Sequence, residues 1–599
     1  MSDVRITTSQ LDFSAGVDSS RAPLVRSTLN PNGLPQNALA WLNNGTVRNG
    51  GIQQRTGFQP LCKVADGSAI YQQGYLYDAS ALGGNPYLML CIGGRMYQVR
   101  VDTDNSVIDV TGSLQDPATA EKAWYAQHGR FLVKQAGDGI TLPLFWDGYN
   151  LTRSKGIVNG SVAPGTPGVN GIPAATAMVG YMGRLWYAQN RKVSAGDIEG
   201  GNSGTLAYNF EDAVLNVTEN PLALGGDGFS LPGTAGNVRA LNYPIALDQT
   251  LGQGPLFIFT PKQIYSLTVP VTRTSWLAAN NSTQPLMAVV MKTNGAVSDT
   301  SVVSVNGDLF YQSIDPAVRS YFMALRYFQT WGNGPISNNI NRILQFNDRS
   351  LMHMASGMEF GGRLYQTMLP QQTTVGVAFQ SLAVMDLDPL STLQDQKPPV
   401  WEGNYQGIQF LQIFSGNFGG LERAFAVIRE EVTGEIWVWE ITSDQRFDNG
   451  DNRVLWWFET PAYDWSDAGS SPMDLKELDG LDLWLDKVFG EVLVTVQFRP
   501  DEDACWYNWF TTSICASRTS CENLDNPNCY PTTVNREQYR MPLSWPKPVN
   551  PGCSVGNNRP VTWGYKFQLK ITIKGWGRVR GLHLHALPKK SSPFYGQIC

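Results

Sequence analysis

The sequence predicts an all-β protein, and three observations carry that prediction. One short motif recurs along the first two thirds of the chain: a tight glycine-containing turn, a polar residue, then a strand of bulky side chains. The 599 residues are rich in what turns and strands need, with 60 glycines, 35 prolines and 11% aromatics. No long apolar stripe at a 3.6-residue period is present, and only 335–344, PISNNINRIL, reads as a short helix.

The clearest instance of the motif organises the chain. Two runs, 301–305 and 308–313, are rich in valine and aromatics and meet across Asn306-Gly307. Asn-Gly accepts positive φ at both centres of a type I′ turn, whose twist matches paired strands, so a β-hairpin is expected here. Ile314-Asp315-Pro316 ends its second strand, because proline cannot donate to a ladder. The same signature returns at Gly93-Gly94-Arg95, His128-Gly129-Arg130, Met182-Gly183-Arg184 and Gly361-Gly362-Arg363. The long gap between Arg184 and Asp308 has room for one more unit and contains the hairpin-like 255–267, PLFIFTPKQIYSL. Propeller blades repeat at roughly 40–50 residues, and insertions disturb the period. Gly-Arg turns also occur in other antiparallel sheets, but their succession predicts an irregular β-propeller.

In chain order, residues 1–60 are extended and turn-rich. Phe13, Val17, Leu39, Trp41, Ile52 and Phe58 are apolar anchors among Gly, Pro and Asn. Such a segment cannot bury a core of its own, so it reads either as an arm that docks on other surfaces or as a first strand and loop. Residues 61–445 carry the repeated hairpins, with 191–235 as a long Gly/Ser-rich surface excursion and 423–441 as a late hairpin. The polar stretch 443–452, SDQRFDNGDN, marks a boundary. Residues 446–599 predict a C-terminal β-sandwich, with strands at 453–459, 482–485, 491–499, 565–573 and 579–587. Within it, the cysteine-rich 501–558 reads as a loop-like insertion.

Bulk properties narrow the function. A chain of this length carries more than one core. Its net charge of −6 argues against a wholly basic nucleic-acid-binding surface. Lys570, Lys574, Arg578, Arg580, Lys589 and Lys590 cluster near the C-terminus, as a solvated strand face does. The N-terminal MSDVRITTSQ holds no signal-peptide core, and no run approaches the roughly 18 apolar residues of a membrane span, so no membrane insertion is expected. Six of the eight cysteines, Cys505, Cys515, Cys521, Cys529, Cys553 and Cys599, lie in the last hundred residues without a CxxC. They read first as buried thiols, then as a disulfide pair within 505–529, and last as a metal site.

Catalytic signatures are missing: no Walker A sequence, HExxH, GxSxG or strand-borne GxGxxG is present. Gly575-Trp576-Gly577 reads as a turn, and Asp444, Asp448, Asn449, Gly450 and Asp451 as a solvated turn without calcium-hand spacing. Asp474, Glu477, Asp479, Asp482 and Asp486 could supply the carboxylate pair of a glycosidase, but no second feature supports it. No catalytic, cofactor-binding or metal-binding residue is assigned, and the chain reads as no enzyme.

One resemblance spans most of the chain. Phe13, Gly16-Val17, Asn43 and Gly51-Ile52 through Arg55-Thr56-Gly57-Phe58 resemble the opening of the tail nozzle proteins of short-tailed bacteriophages, the tail tubular protein B and tail-stabilisation group. Gly225-Gly226-Asp227-Gly228, Asn237-Val238-Arg239, Leu256-Phe257-Ile258-Phe259, the 305–310 hairpin, Val318-Arg319-Ser320 and Ile336-Ser337 follow in the same order. Ala317-Val318 stands where family members often have glycine. The resemblance implies a virion structural protein, assembled in the host cytoplasm into a ring of six. That ring would join a head–tail adaptor ring, carry fibres or spikes, and let genomic DNA pass without specific binding. Residues 1–60 and the long excursions would make the contacts between copies. Six copies of net charge −6 sum to −36, so a neutral to acidic lumen is expected, with 570–590 facing protein or solvent. The alternative is a carbohydrate-binding or glycan-degrading propeller, with some of the 18 tryptophans as sugar platforms.

Overall fold

In the computed structural model, the described residues are 4–27, 30–48, 50–156, 171–196, 228–244, 254–269, 287–291, 293–321, 334–387, 400–442, 446–450, 452–501, 503–515, 537–542 and 561–589. They form a seven-bladed β-propeller joined to a β-sandwich. No helix among them is long and apolar enough to cross a membrane.

Blade 1 is Tyr71–Tyr77, Tyr87–Ile92, Arg95–Arg100 and Ser106–Asp109, ordered from the axis outward. Blade 2 is Trp124–His128, Phe131–Gln135, Leu144–Trp146 and Leu151–Arg153. Blade 3 is Met178–Tyr181, Arg184–Gln189, Lys192–Ala195 and Gly228–Ser230. Blade 4 is Ala240–Asn242, Leu256–Phe259, Ile264–Leu267 and Met287–Met291. Blade 5 has three strands, Val303–Val305, Asp308–Ser313 and Ala317–Ser320. Blade 6 is Gly357–Phe360, Arg363–Thr373, Gly376–Asp386 and the first half of Val400–Phe418. The second half of that strand opens blade 7, followed by Leu421–Arg429, Ile436–Ile441 and, outermost, Phe58–Ala65.

The last pairing closes the ring, because a strand from before blade 1 completes blade 7. Pro60 sits there opposite Trp439, which an outermost strand tolerates since its free edge needs no N–H. At the axis, Gln412 of blade 7 accepts from Tyr71 Oη (2.7 Å) and Gly74 N–H (2.8 Å) of blade 1. Each gap between neighbouring blades holds an apolar cluster, such as Tyr77, Tyr87, Leu132 and Trp146 between blades 1 and 2. The cluster between blades 5 and 6 is continuous with the sandwich core.

The recurring turns are hairpins of these blades. Asn306 and Gly307 have φ of 50° and 78°, as an Asn-Gly type I′ turn requires. The 128–130, 182–184, 306–308 and 361–363 turns join first to second strands, whereas Gly93-Gly94 joins the second and third strands of blade 1. That difference, and a fourth blade without the motif, account for the irregular spacing. The hairpin at 255–267 lies in blade 4. Of the excursion expected over 191–235, both ends are strands of blade 3 and 197–227 lies outside the described residues.

The sandwich is built from both ends of the chain. One sheet runs Glu537–Pro542, Leu475–Val488, Gly577–Lys589, Gly51–Gln54 and Gly45–Arg48, with Ile6–Gln10 and Trp563–Gly564 added at its strands. The other runs Trp41–Asn43, Leu455–Glu459, Phe567–Lys574, Glu491–Pro500 and Tyr507–Cys515. Phe567, Leu569, Ile571 and Ile573 face Leu481, Leu483, Leu582 and Leu584 across a fully buried interior. Tyr565 lies outside the expected strand, because Asp501 Oδ1 takes the N–H groups of Tyr565 (2.8 Å) and Lys566 (3.1 Å).

Three expectations need correction here. The extended segment 1–60 does dock, but its described residues dock on their own chain: Ile6–Gln10 pairs with Gly577–Lys589, and Trp41–Asn43 with Leu455–Glu459. The sandwich offers open edges, and unpaired backbone groups on them favour a strand from the same chain. Second, 501–558 is more than a loop, since Tyr507–Cys515 pairs along Glu491–Pro500 with Tyr507 and Trp509 buried. Third, Cys505 is disulfide-bonded, the second of the readings given for these cysteines, rather than a free thiol.

Candidate functional site

The carboxylates singled out in the sequence are dispersed to structural work. Asp479 pairs with Arg5 (2.6 Å), Glu477 with Lys589 (2.6 Å) and Asp482 with His585 (3.0 Å), while Asp474 caps the turn at Ser471. The side chain of Asp486 lies outside the described residues. Asp448 is no solvated turn residue: it holds Arg55 through both oxygens (2.9 and 2.7 Å) and accepts the Phe58 N–H (2.9 Å). Asp444 and Asp451 are outside the described residues. The basic cluster is split between the two sheets, with Lys570 and Lys574 on one and Arg578, Arg580 and Lys589 on the other. No three His, Cys, Asp or Glu side chains among the described residues could together hold a metal ion.

Sequence reasoning missed a hydroxyl–histidine–carboxylate chain on the outer face of the first sandwich sheet. Thr7 Oγ1 lies 2.8 Å from His585 Nδ1, and His585 Nε2 lies 3.0 Å from Asp482 Oδ2. Beside it, Ser9 Oγ lies 2.6 Å from His583 Nδ1, whose ring meets Trp484 edge-on at 5.5 Å. The residue types are those of a nucleophilic relay. However, Thr7 and Ser9 sit mid-strand in ladder register with His585 and His583, as structural cross-strand pairs do. The chain of bonds fastens Ile6–Gln10 to its partner.

The strongest polar constellation welds the two bodies together. Glu402, fully buried where blade 6 meets the sandwich, accepts from Thr46 Oγ1 (2.7 Å), the Val47 N–H (2.8 Å) and Arg363 Nε (2.8 Å). Burial works against the charge on Arg363, but Glu402 more than offsets it and holds the guanidinium pKa above its ordinary value. Burial and the neighbouring Glu402 push Asp386 up to about 6; Arg48, at 3.7 Å, only partly opposes this. Asn44 is the pivot, its backbone at φ 52°. Its N–H donates to Asn404 O (2.8 Å), its side-chain amide to Leu455 O (3.1 Å), and its Oδ1 accepts from Arg55 Nε (3.1 Å) and the Gln406 N–H (2.8 Å). Gly403, at φ 85°, lets the N-terminal segment cross, since a Cβ there would lie 2.0 Å from Leu42 O.

The opposite face of the propeller holds a buried lysine at the mouth of the axis. Lys122 Nζ donates to Asp299 Oδ1 (2.6 Å), Ser298 Oγ (2.8 Å) and His353 O (2.8 Å), and lies 4.3 Å above the Trp124 ring. Burial lowers its pKa and Asp299 partly restores it. All three donors are used, so Lys122 ties blades 2, 5 and 6 together rather than acting as a nucleophile.

No family model matches the chain, and no curated protein matches it. Among solved structures, it is similar to the WD40 repeats of RRP9 (TM-score 0.34, 9% identity), covering 65% of this chain and 100% of that one. It is also similar to BBS1N in complex with ARL6DN (TM-score 0.34, 10% identity, 65% and 98% covered). YCF48 bound to D1 peptide is a third (TM-score 0.32, 9% identity, 65% and 96% covered). The propeller is established by its sheet order and ring closure rather than by these likenesses.

Proposed function

We propose that the chain is a structural subunit of a short-tailed phage tail, six copies of which close into a nozzle ring for genome passage. One observation carries the reading beyond the sequence resemblance: the sidedness of the propeller. Whereas 157–170 follows the end of a fourth strand, on the other face, the segments 197–227, 245–253, 270–286, 322–333 and 388–399 follow the ends of first or third blade strands, which share one face. The sandwich attaches to that same face, where Arg48 donates to Gly361 O (3.0 Å) after the first strand of blade 6. A closed ring needs a surface reserved for heterologous contact with the next copy, and the face on which most of these strand ends lie would offer one.

A neutral to acidic lumen belongs to this reading. Lys589 is neutralised by Glu477, and Lys570 lies 4.3 Å over the Trp457 ring, so two cations of the C-terminal cluster already serve the protein. The glycan-binding alternative gains no support here, since the described tryptophans are buried or only partly exposed.

Mass measurement of the chain alone and with a head–tail adaptor ring tests the proposal. A sixfold assembly is expected, with only weak duplex-DNA binding at low salt. A strict monomer in both conditions, or tight DNA binding that collapses with added salt, contradicts it.

A further inference from the structure

The face away from the sandwich carries a cavity of about 350 Å³ where the first strands of blades 2, 4, 5 and 6 begin. Arg239 and His353 line it with Glu121, and Pro261, Val297 and Ile314 form an apolar wall. Arg239 stands immediately before blade 4, fixed by its own N–H to Phe259 O (2.8 Å) and by the buried Val238.

Its guanidinium is half-buried and has no hydrogen-bond or ion-pair partner among the described residues. Desolvation lowers its pKa with no acid to offset the cost. Other buried arginines have partners: Arg363 has Glu402, Arg55 has Asp448, Arg423 has Glu440, and Arg429 has the carbonyls of Gly67 and Gly434. Even the exposed Arg349 on the same cavity has Asp315 at 3.2 Å. A desolvated fork of donors facing a cavity is suited to a planar oxyanion that arrives from outside.

The rest of the wall selects among anions. His353 Nδ1 meets Ser350 O at 2.9 Å, so Nδ1 carries the proton and Nε2 presents a lone pair. Burial lowers the pKa of this ring, with Lys122 and Arg239 adding to it and the Ser350 carbonyl and Glu121 partly opposing it. Glu121 stands 3.6 Å from that Nε2 and is largely exposed. A ligand must therefore offer a negative group to Arg239 and hydrogen-bond donors to Glu121 and His353. A phosphate monoester dianion offers no donor and hydrogen phosphate only one, and both meet the repulsion of Glu121 and Asp315. A peptide offers both, and Val297, Ile314 and Pro261 suit its methylene groups.

We propose that this axial cavity binds a polypeptide carboxylate, seated on Arg239, with the peptide's N–H groups directed to Glu121 and His353. The inference does not depend on whether the chain forms a ring. The carboxylate comes from an acidic side chain or from a chain terminus, and both present the same chemistry.

The test titrates the full chain with acetyl-Ala-Ile-Glu-Ile-Ala-amide and with acetyl-Ala-Ile-Ile ending in a free carboxylate, followed by saturation-transfer NMR. The Glu→Gln and C-terminal amide versions serve as controls. At least one acid peptide is expected to bind about tenfold or more tightly than its neutral control, with that preference lost in Arg239→Met. In the wild-type chain, the same peptide is expected to slow phenylglyoxal modification of Arg239, mapped by mass spectrometry, which keeps the test valid if the variant misfolds. Equal binding of acid and neutral peptides, unprotected Arg239, or tighter binding of inorganic phosphate than of either peptide overturns the proposal.

Discussion

The propeller and the sandwich both have to dispose of open sheet edges, and they do so in opposite ways. Six blades are assembled from strands adjacent in sequence, and one imported strand, Phe58–Ala65, completes the seventh. The sandwich depends on distant partners: Ile6–Gln10 and Gly51–Gln54 pair with Gly577–Lys589, and Trp41–Asn43 pairs with Leu455–Glu459. Local hairpins form at small loop-closure cost, whereas the sandwich must wait for both chain ends. The N-terminal segment thus finishes both bodies, and the Glu402 cluster is where they become one.

The largest expected effect breaks that weld. Glu402→Ala leaves Arg363 buried without its partner and should cost about 3–5 kcal/mol in urea unfolding. If a cost of that size falls on the sandwich alone, the two bodies are less coupled than the geometry requires.

The next effect is a pH dependence. Asp386 has its pKa raised to about 6, above its unfolded value, so the folded state holds the extra proton between about pH 4 and 6. Its contribution is full below that window and is lost as pH rises through it, by up to about 3 kcal/mol. Asp386→Asn should remove this slope from stability measured across pH 4 to 7. An unchanged slope would assign the dependence to other groups.

A smaller effect belongs to the propeller alone. Gly307→Ala forces a side chain into φ 78° and should cost about 1–2 kcal/mol, read as faster amide exchange confined to blade 5 and its neighbours. Spread of that effect into the sandwich would show tighter coupling than the contrast allows. The smallest is Arg95→Ala in blade 1. Its pair with Asp109 is substantially exposed, so a change in melting free energy below about 1 kcal/mol is expected.

The same contrast explains what could be read from the sequence. Asn306-Gly307 and Gly361-Gly362 declare their hairpins because turn chemistry is local. Phe58–Ala65 is masked by Pro60, tolerable only because the strand is outermost. ITTSQ at the N-terminus gives no hint that it pairs with a strand more than five hundred residues later. Thr46, Arg363 and Glu402 look like ordinary surface residues until the fold buries them together. Arg239 was visible only as part of a short matching stretch, since its unpaired guanidinium depends on six segments converging on the cavity.

Hydrogen exchange over residues 6–54 of the isolated chain, compared with the assembled form, tests the central claim most directly. If these residues complete their own chain, they will already be protected in isolation, to the same degree as Gly577–Lys589, and assembly will change them little. Rapid exchange in isolation that slows only on assembly would contradict the account, because the segment would then be a bridge between copies rather than part of one subunit.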